Sequence, residues 1–198
     1  MRTFIGLMGA VSALLLVGCV GSVDESASAK DEAAGNGVAD GPVAEDGEAV
    51  VAGFCNFQNT WNSAWATNEQ AALDEINKNR LNGAYCQGKF MKPGTTLTMG
   101  PNIRCAARYH SQDMAIHNFV DHPGTNGDTP MSRLNAAGVM WSGEAEACAG
   151  GYTVAKTMVQ KLMSDGHCQA IMSSAYSRVG IGYDYKNYGF WTVDFVSP

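Results

Sequence analysis

The stretch RCAARYHSQDMAIHNFVDH, residues 104–122, decides the fold class. Ile103 just before it, then Ala107, His110, Met114 and His117, recur at three- and four-residue spacing, and Ala115, Phe119 and His122 form a neighbouring row. That period predicts one amphipathic helix, opened at Asn102 or its neighbours. No Gly or Pro interrupts it. Pro123 disfavours helical geometry at the residue before it, so His122 is expected at or just past the C-terminal end, free to point into a cavity. Three of the four histidines lie in this stretch. Two later landmarks, Gly143-Glu144 and Gly166-His167, look back to it.

Ahead of this helix, Thr67 and Gln70 make a capping box, Leu73 and Ile76 an apolar row, and Gly83 a stop. Ala84 to Pro101, with Gly88, Pro93, Gly94 and Gly100, reads as loop. After it, residues 123–130 form a turn-rich loop, Met131 to Ala137 a helical turn, and Val139 to Trp141 a strand candidate. Thr153 caps a helix with the apolar row Val154, Met158, Val159, Leu162 and Met163, and His167 to Ser173 is a shorter helical piece. Val179, Ile181 and Tyr183 then alternate with small or polar residues, as do Trp191, Val193 and Phe195, which predicts an antiparallel hairpin turning within Lys186 to Gly189. Helices plus a terminal hairpin indicate an α+β domain with helices covering a small sheet.

The 198 residues leave room for one domain with a core. The net charge of −6 is unevenly spread: Val20 to Val50 holds eight acids and one base, whereas acids and bases number eleven each from Val51 onward. No basic stripe exists, which excludes nucleic acid as an expected partner. Residues 1–18 read as a signal peptide: Arg2 precedes the apolar run Phe4 to Val17, too short for a comfortable membrane span. Leu16-Val17-Gly18-Cys19 resembles the lipobox of bacterial lipoproteins, which implies lipidation at Cys19, a membrane anchor there, and a place in the bacterial cell envelope or outside it. Residues 19–50, rich in Ala, Gly, Asp, Glu and Ser without an aromatic residue, are expected to be a disordered acidic tether. Residues 51–66 form an aromatic, Asn-rich lead-in segment, and 67–198 the domain.

Several motifs in order resemble the CAP superfamily (SCP, or cysteine-rich secretory protein, antigen 5 and PR-1), in its bacterial extracytoplasmic branch. They are Asn77-x-x-Arg80, Ala106-Ala107, His110-Ser111-x-Asp113-Met114, Phe119-x-x-His122, Arg133, Ala137-Gly138, Gly143-Glu144, Gly166-His167-Cys168, Gly180-x-Gly182-Tyr183 and Trp191-Thr192-x-Asp194-Phe195. The resemblance covers roughly Leu73 to Phe195. It implies a three-layer α-β-α sandwich and a central cavity where His122, Glu144 and His167 converge, able to hold zinc or another divalent metal. Three departures stand out: Ala145 replaces the Asn that usually follows the cavity Glu, Met163 stands where many animal members have a second cavity Glu, and Leu162 replaces a Trp.

Two His and one Glu would leave zinc an open fourth position, able to polarise a carbonyl or activate water. The spacing alone identifies no metal site, and a self-satisfied polar cluster is the alternative. His110 reads as a core histidine bonded to backbone, and His117 as solvent- or rim-facing. Ser111 and Asp113 make no triad with His110, because residues two or three apart on one helix do not build such a chain. Glu146 is expected at the surface. Four of the cysteines in the domain, Cys86, Cys105, Cys148 and Cys168, allow three pairings, and export permits disulfides. Given the resemblance, Cys86–Cys168 and Cys105–Cys148 are favoured, leaving Cys55 unpaired or intermolecular. The sequence thus points to an exported, anchored CAP domain whose His/Glu/His cleft binds a small-molecule, peptide or lipid ligand, a partner or a metal without catalysis. A peptidase-like hydrolase and a lipid- or sterol-binding module are the alternatives. No catalytic residue can be named.

Overall fold

The computed structural model describes residues 53–197. The signal peptide, the Cys19 anchor and the 19–50 tether lie outside the described residues. A 3-10 turn, Asn56–Thr60, leads into helix α1, Ser63–Asn82. There follow strands β1 (Ala84–Cys86), β2 (Lys89–Met91) and β3 (Thr98–Met99), and helices α2 (Pro101–His117) and α3 (Pro130–Ala136). Strand β4 (Gly143–Gly150), helices α4 (Ala155–Met163) and α5 (His167–Met172), and strands β5 (Arg178–Lys186) and β6 (Tyr188–Ser197) complete the chain.

The main sheet has the order β3-β5-β6-β4, antiparallel except for the parallel β3–β5 pair. β1 and β2 form a separate two-stranded ribbon. One face of the main sheet, bearing Ala145, Ala147, Val179, Ile181, Trp191, Val193 and Phe195, packs on Ile76 of α1, Met158 and Leu162 of α4, and Ile171 of α5. The other face carries α2. A Cβ at Gly180 would lie 2.2 Å from the backbone of Ile103, and one at Gly182 2.4 Å from that of Ala107. Only glycine lets the helix approach the strand this closely. Helices on both faces make the three layers, as expected.

The hairpin stands where alternation placed it, with Val179 opposite Phe195 and Ile181 opposite Val193. Other boundaries move for identifiable reasons. α1 starts before the Thr67–Gln70 box because Asn62 caps it, its side chain accepting from the Ala64 N–H. The Thr67 hydroxyl instead bonds back to the Ser63 carbonyl, a turn earlier. The segment read as loop contains β1, β2 and β3. α2 stops at His117, because Asn118 takes the left-handed conformation at φ 56°, a conformation Asn tolerates. His122 therefore sits in a loop, not at a helix end. Val139 to Trp141 is not a strand; the strand is β4, just beyond it. α4 is capped at Val154 rather than Thr153.

The cysteines are paired Cys86–Cys168, as expected, and Cys55–Cys105. The expected Cys105–Cys148 bridge is thus corrected. Cys105 packs with Cys55, Leu134 and Val139, whereas Cys148 packs with Met114, nine residues further along α2, about 13 Å along the axis. The lead-in segment is fastened through this second disulfide and through stacking of Phe54 on Tyr109 at 4.8 Å.

Candidate functional site

β4 presents Glu144, Glu146 and Cys148 on the α2-facing side of the sheet, Glu146 opposite Asp194 and Cys148 opposite Thr192. Glu146 is buried, which corrects the expected surface position. Its Oε2 accepts from Arg133 Nη2 at 2.6 Å and its Oε1 from His122 Nδ1 at 2.8 Å. Arg133 also donates to Asp128 at 2.5 Å and to the His122 carbonyl at 3.0 Å. Cys148, buried outside both disulfides, lies 3.4 Å from Glu146 Oε1. His110, Glu146 and Cys148 bring one potential ligand atom each within 4.8 Å of one another.

The cluster is charged, and its members divide the charge unequally. Burial disfavours ionised Glu146, but the His122 hydrogen bond and the Arg133 guanidinium outweigh it and hold the carboxyl down at about 2. Burial also opposes charge on His122, yet hydrogen bonds to Cys148 and Glu146 push its imidazole up to about 11. Asp194 goes the other way: burial, then the Glu146 charge beside it, raise its carboxyl well above the usual range. No donor from another residue reaches either Asp194 oxygen. Burial and the adjacent Glu146 charge thus both favour the neutral form of Asp194, since two adjacent buried carboxylates resist ionising together.

The expected cavity residues are placed as follows. His122 meets Glu146 rather than Glu144. Glu144 is half-buried; desolvation and the Glu146 charge raise its carboxyl, while His122 and Arg133 lower it. His167, buried at the start of α5, directs Nδ1 to Asp165 at 2.6 Å, and its Nε2 is buried without a hydrogen-bond partner. His110 bonds the Asp121 carbonyl at 2.7 Å, as a core histidine should, and exposed His117 pairs with Asp113 at 2.8 Å. Ser111 donates to Thr192 Oγ1 at 3.0 Å within the core, far from any role as an accessible nucleophile. Glu69 carries no signal in the sequence, and Arg80 and Arg133 stand there only as family motifs without a role.

Arg80 matters because it builds a groove. Fully buried, it donates to the carbonyls of Thr95, Ile171, Ser173 and Tyr176 at 2.6–3.1 Å. Asn77 adds a two-way bond to the Leu97 backbone, donating at 3.0 Å and accepting at 2.7 Å. Together they pin residues 92–97 and the end of α5 as two walls. Between them lies a cavity of about 440 Å³, lined by Met91, Pro93, Ala145, Ala170, Met172 and Tyr176 among others, with Lys92 its only charged side chain. No His, Cys, Asp or Glu lines it. Yet Ala145 follows Glu144, and Ala170 lies one turn beyond His167.

Residues 73–195, more than half of the chain, match the profile of the cysteine-rich secretory protein family, CAP. The chain belongs to this family. An uncharacterised protein of Bacillus subtilis, YkwD, is 27% identical over 117 residues, 59% of this chain and 44% of its own length. The uncharacterised membrane protein YlbC of the same organism is 26% identical over 129 residues, 65% of this chain and 35% of its own. The chain thus spans less than half the length of these curated relatives. Among solved structures, an extracellular SCP-domain protein of Bacillus anthracis superposes with TM-score 0.57 at 20% identity, over 80% of this chain and 45% of that one. An outer surface protein of Borrelia burgdorferi gives 0.53 at 18%, over 66% and 92%. These likenesses speak for the CAP fold. Among the described residues, no helix is long and apolar enough to cross a membrane.

The zinc set that the CAP resemblance implies can be tested on donor chemistry. A ligating imidazole commonly holds a carboxylate with its other nitrogen. His167 has that arrangement, with Asp165 on Nδ1 and a buried Nε2 lacking a partner. His122 has it too, with Glu146 on Nδ1. The donor types therefore suit a zinc-class ion, but among the described residues the ligand atoms that come within 4.8 Å of one another are those of His110, Glu146 and Cys148, not those of His122, Glu144 and His167.

Proposed function

We propose that this CAP protein is exported, anchored through Cys19, and binds a small, largely apolar ligand bearing an acidic group in the groove beside α5, without catalysis. The observation that carries this reading is the groove itself. Its volume of about 440 Å³ falls in the range of small-molecule sites. Its lining is apolar apart from Lys92, Gln169, Ser173, Ser174 and Tyr176, and no His, Cys, Asp or Glu lines it to activate a hydroxyl. The groups that could do chemistry, Cys148, His110, Ser111 and Glu146, are buried. Export and anchoring are supported by the apolar run and the Leu16-Val17-Gly18-Cys19 segment, and by the extracellular and outer-surface provenance of the two solved relatives.

Calorimetric titration with dodecanoate tests the groove. Filling it by Ala170→Trp should weaken binding at least tenfold, about 1.4 kcal/mol, and Lys92→Glu should weaken it several-fold, with a dependence on salt. Unchanged affinity in Ala170→Trp, or turnover of an ester analogue, would refute the reading.

We also propose that zinc, when present, would be held by drawing His122, Glu144 and His167 together, where it would supply Lewis acidity. Because a ligating imidazole must be neutral and His122 is held protonated up to about 11, zinc would have to displace that proton, and its affinity should rise as pH rises above neutrality. His167→Ala should reduce zinc uptake at least tenfold in a calorimetric titration. Equal uptake by the variant would remove the assignment.

A further inference from the structure

We propose that the β1–β2 ribbon is a docking surface for an anionic lipid bilayer, with Tyr85 and Phe90 entering the interface and Lys89 and Lys92 meeting headgroups.

Tyr85 and Phe90 are cross-strand partners, and their rings lie 5.1 Å apart. They are 70% and 48% exposed, and Leu81, at the end of α1 beside the ribbon, is 55% exposed. These are three large apolar groups on one short segment facing water. A two-stranded ribbon is marginal by itself, yet this one is held rigid. Cys86 is bridged to Cys168 of α5, and Gln87 meets the Gln169 amide at 3.4 Å. The ribbon adds only Cys86 to the set of buried residues. The disulfide therefore fixes an outward-facing aromatic pair instead of sealing a core.

The charge around the pair is one-sided. Residues 76–112 contain six bases and no acid. Three of those bases are turned inward or paired: Arg80 is buried, and Arg104 and Arg108 hold Glu69 at 2.6 and 2.7 Å. Lys78 reaches Glu75 at 3.7 Å. Lys89 and Lys92 remain exposed beside the rings. Aromatic rings at headgroup depth flanked by lysines are the signature of a membrane interface. Each lysine near an anionic surface is worth roughly fivefold in binding.

The chain outside the described residues favours the same occupant. Cys19 lies 34 positions before Gly53, so a lipid there keeps the domain within about 120 Å of the bilayer at full chain extension. A tethered surface meets its target at high effective concentration, so a weak contact suffices. This orientation rests on the anchored reading above, and Met91 and Lys92 would place the groove's mouth at the membrane.

The test uses the mature chain, residues 19–198 with Cys19→Ala, which carries neither the apolar signal peptide nor a lipid, so a failure here is separable from a failure of anchoring or of groove binding. It is sedimented with phosphatidylglycerol vesicles and with phosphatidylcholine vesicles. Binding is expected to phosphatidylglycerol and to fall steeply with salt. Lys89→Glu with Lys92→Glu should reduce it roughly thirtyfold or more, and Tyr85→Ser with Phe90→Ser at least tenfold, with thermal midpoints unchanged because all four side chains are exposed. Absence of binding, equal binding to both vesicles, salt-independent binding, or binding unaffected by the Tyr85/Phe90 pair would each overturn the proposal.

Discussion

Glu69→Gln should lower the stability of the domain by about 3–5 kcal/mol, because it leaves buried Arg108 and half-buried Arg104 without their counter-charge. Glu69 is fully buried. It accepts from Trp61 Nε1 at 2.9 Å, Arg104 Nε at 2.8 Å, Arg108 Nη2 at 2.7 Å and the Tyr183 N–H at 3.2 Å. One carboxylate thereby joins the lead-in turn, α1, α2 and β5. Amide replacement keeps the shape but removes the charge and turns acceptor positions into donors. For a domain of this size the loss corresponds to a thermal midpoint lower by roughly 10 °C, measurable by circular dichroism. Lys78→Ala, which breaks an exposed pair, is the control and should move it by less than about 2 °C. A Glu69→Gln shift as small as the control's would mean that the charges are solvated.

Arg80→Met should have the second largest effect, and a functional consequence as well. The change leaves four backbone carbonyls without their donor, and orphaned buried acceptors cost about 1–3 kcal/mol each where water cannot replace the donor. A loss of about 3–4 kcal/mol is expected, since the groove lets water reach part of the set. Because those carbonyls belong to the two groove walls, dodecanoate binding should disappear even at temperatures where the variant stays folded. Arg80→Lys should not rescue binding, because a single ammonium cannot span acceptors that the planar fork reaches together. Retained dodecanoate affinity in a folded Arg80→Met variant would separate the arginine from the groove.

How much of this was legible in the sequence depends on what each signal measured. The hairpin was plain because Val179, Ile181, Tyr183, Trp191, Val193 and Phe195 alternate. The residues between them, Gly180, Gly182, Thr192 and Asp194, are also buried, because α2 covers the second face of the sheet. β4 was missed because Gly-Glu-Ala-Glu-Ala-Cys-Ala-Gly contains hardly any residue that favours strands. With the strand missed, the burial of Glu146 was missed too, since only its register against Asp194 turns it inward. α2 was located correctly, but its end depends on one left-handed Asn that no periodicity reveals. The disulfide error has a similar origin: Cys55 lies in the aromatic lead-in, whose packing on α2 comes from ring contacts rather than from any regular pattern. Family motifs located Asn77 and Arg80, but their role as wall-builders emerged only when the four accepting carbonyls were seen together. The groove itself is made largely of backbone, Ala, Pro and Met, and such a surface has no sequence motif.

The central claim is that the organic ligand is taken by the apolar groove and not by the cluster of half-buried His122 and buried Glu146. A crystal structure of the protein grown with dodecanoate tests it most directly. The expected result is the acyl chain between Met172, Ala145 and Pro93, with the carboxylate at Lys92. An empty groove, or the fatty acid lodged against His122 and Glu146 on the other face of the sheet, would contradict it.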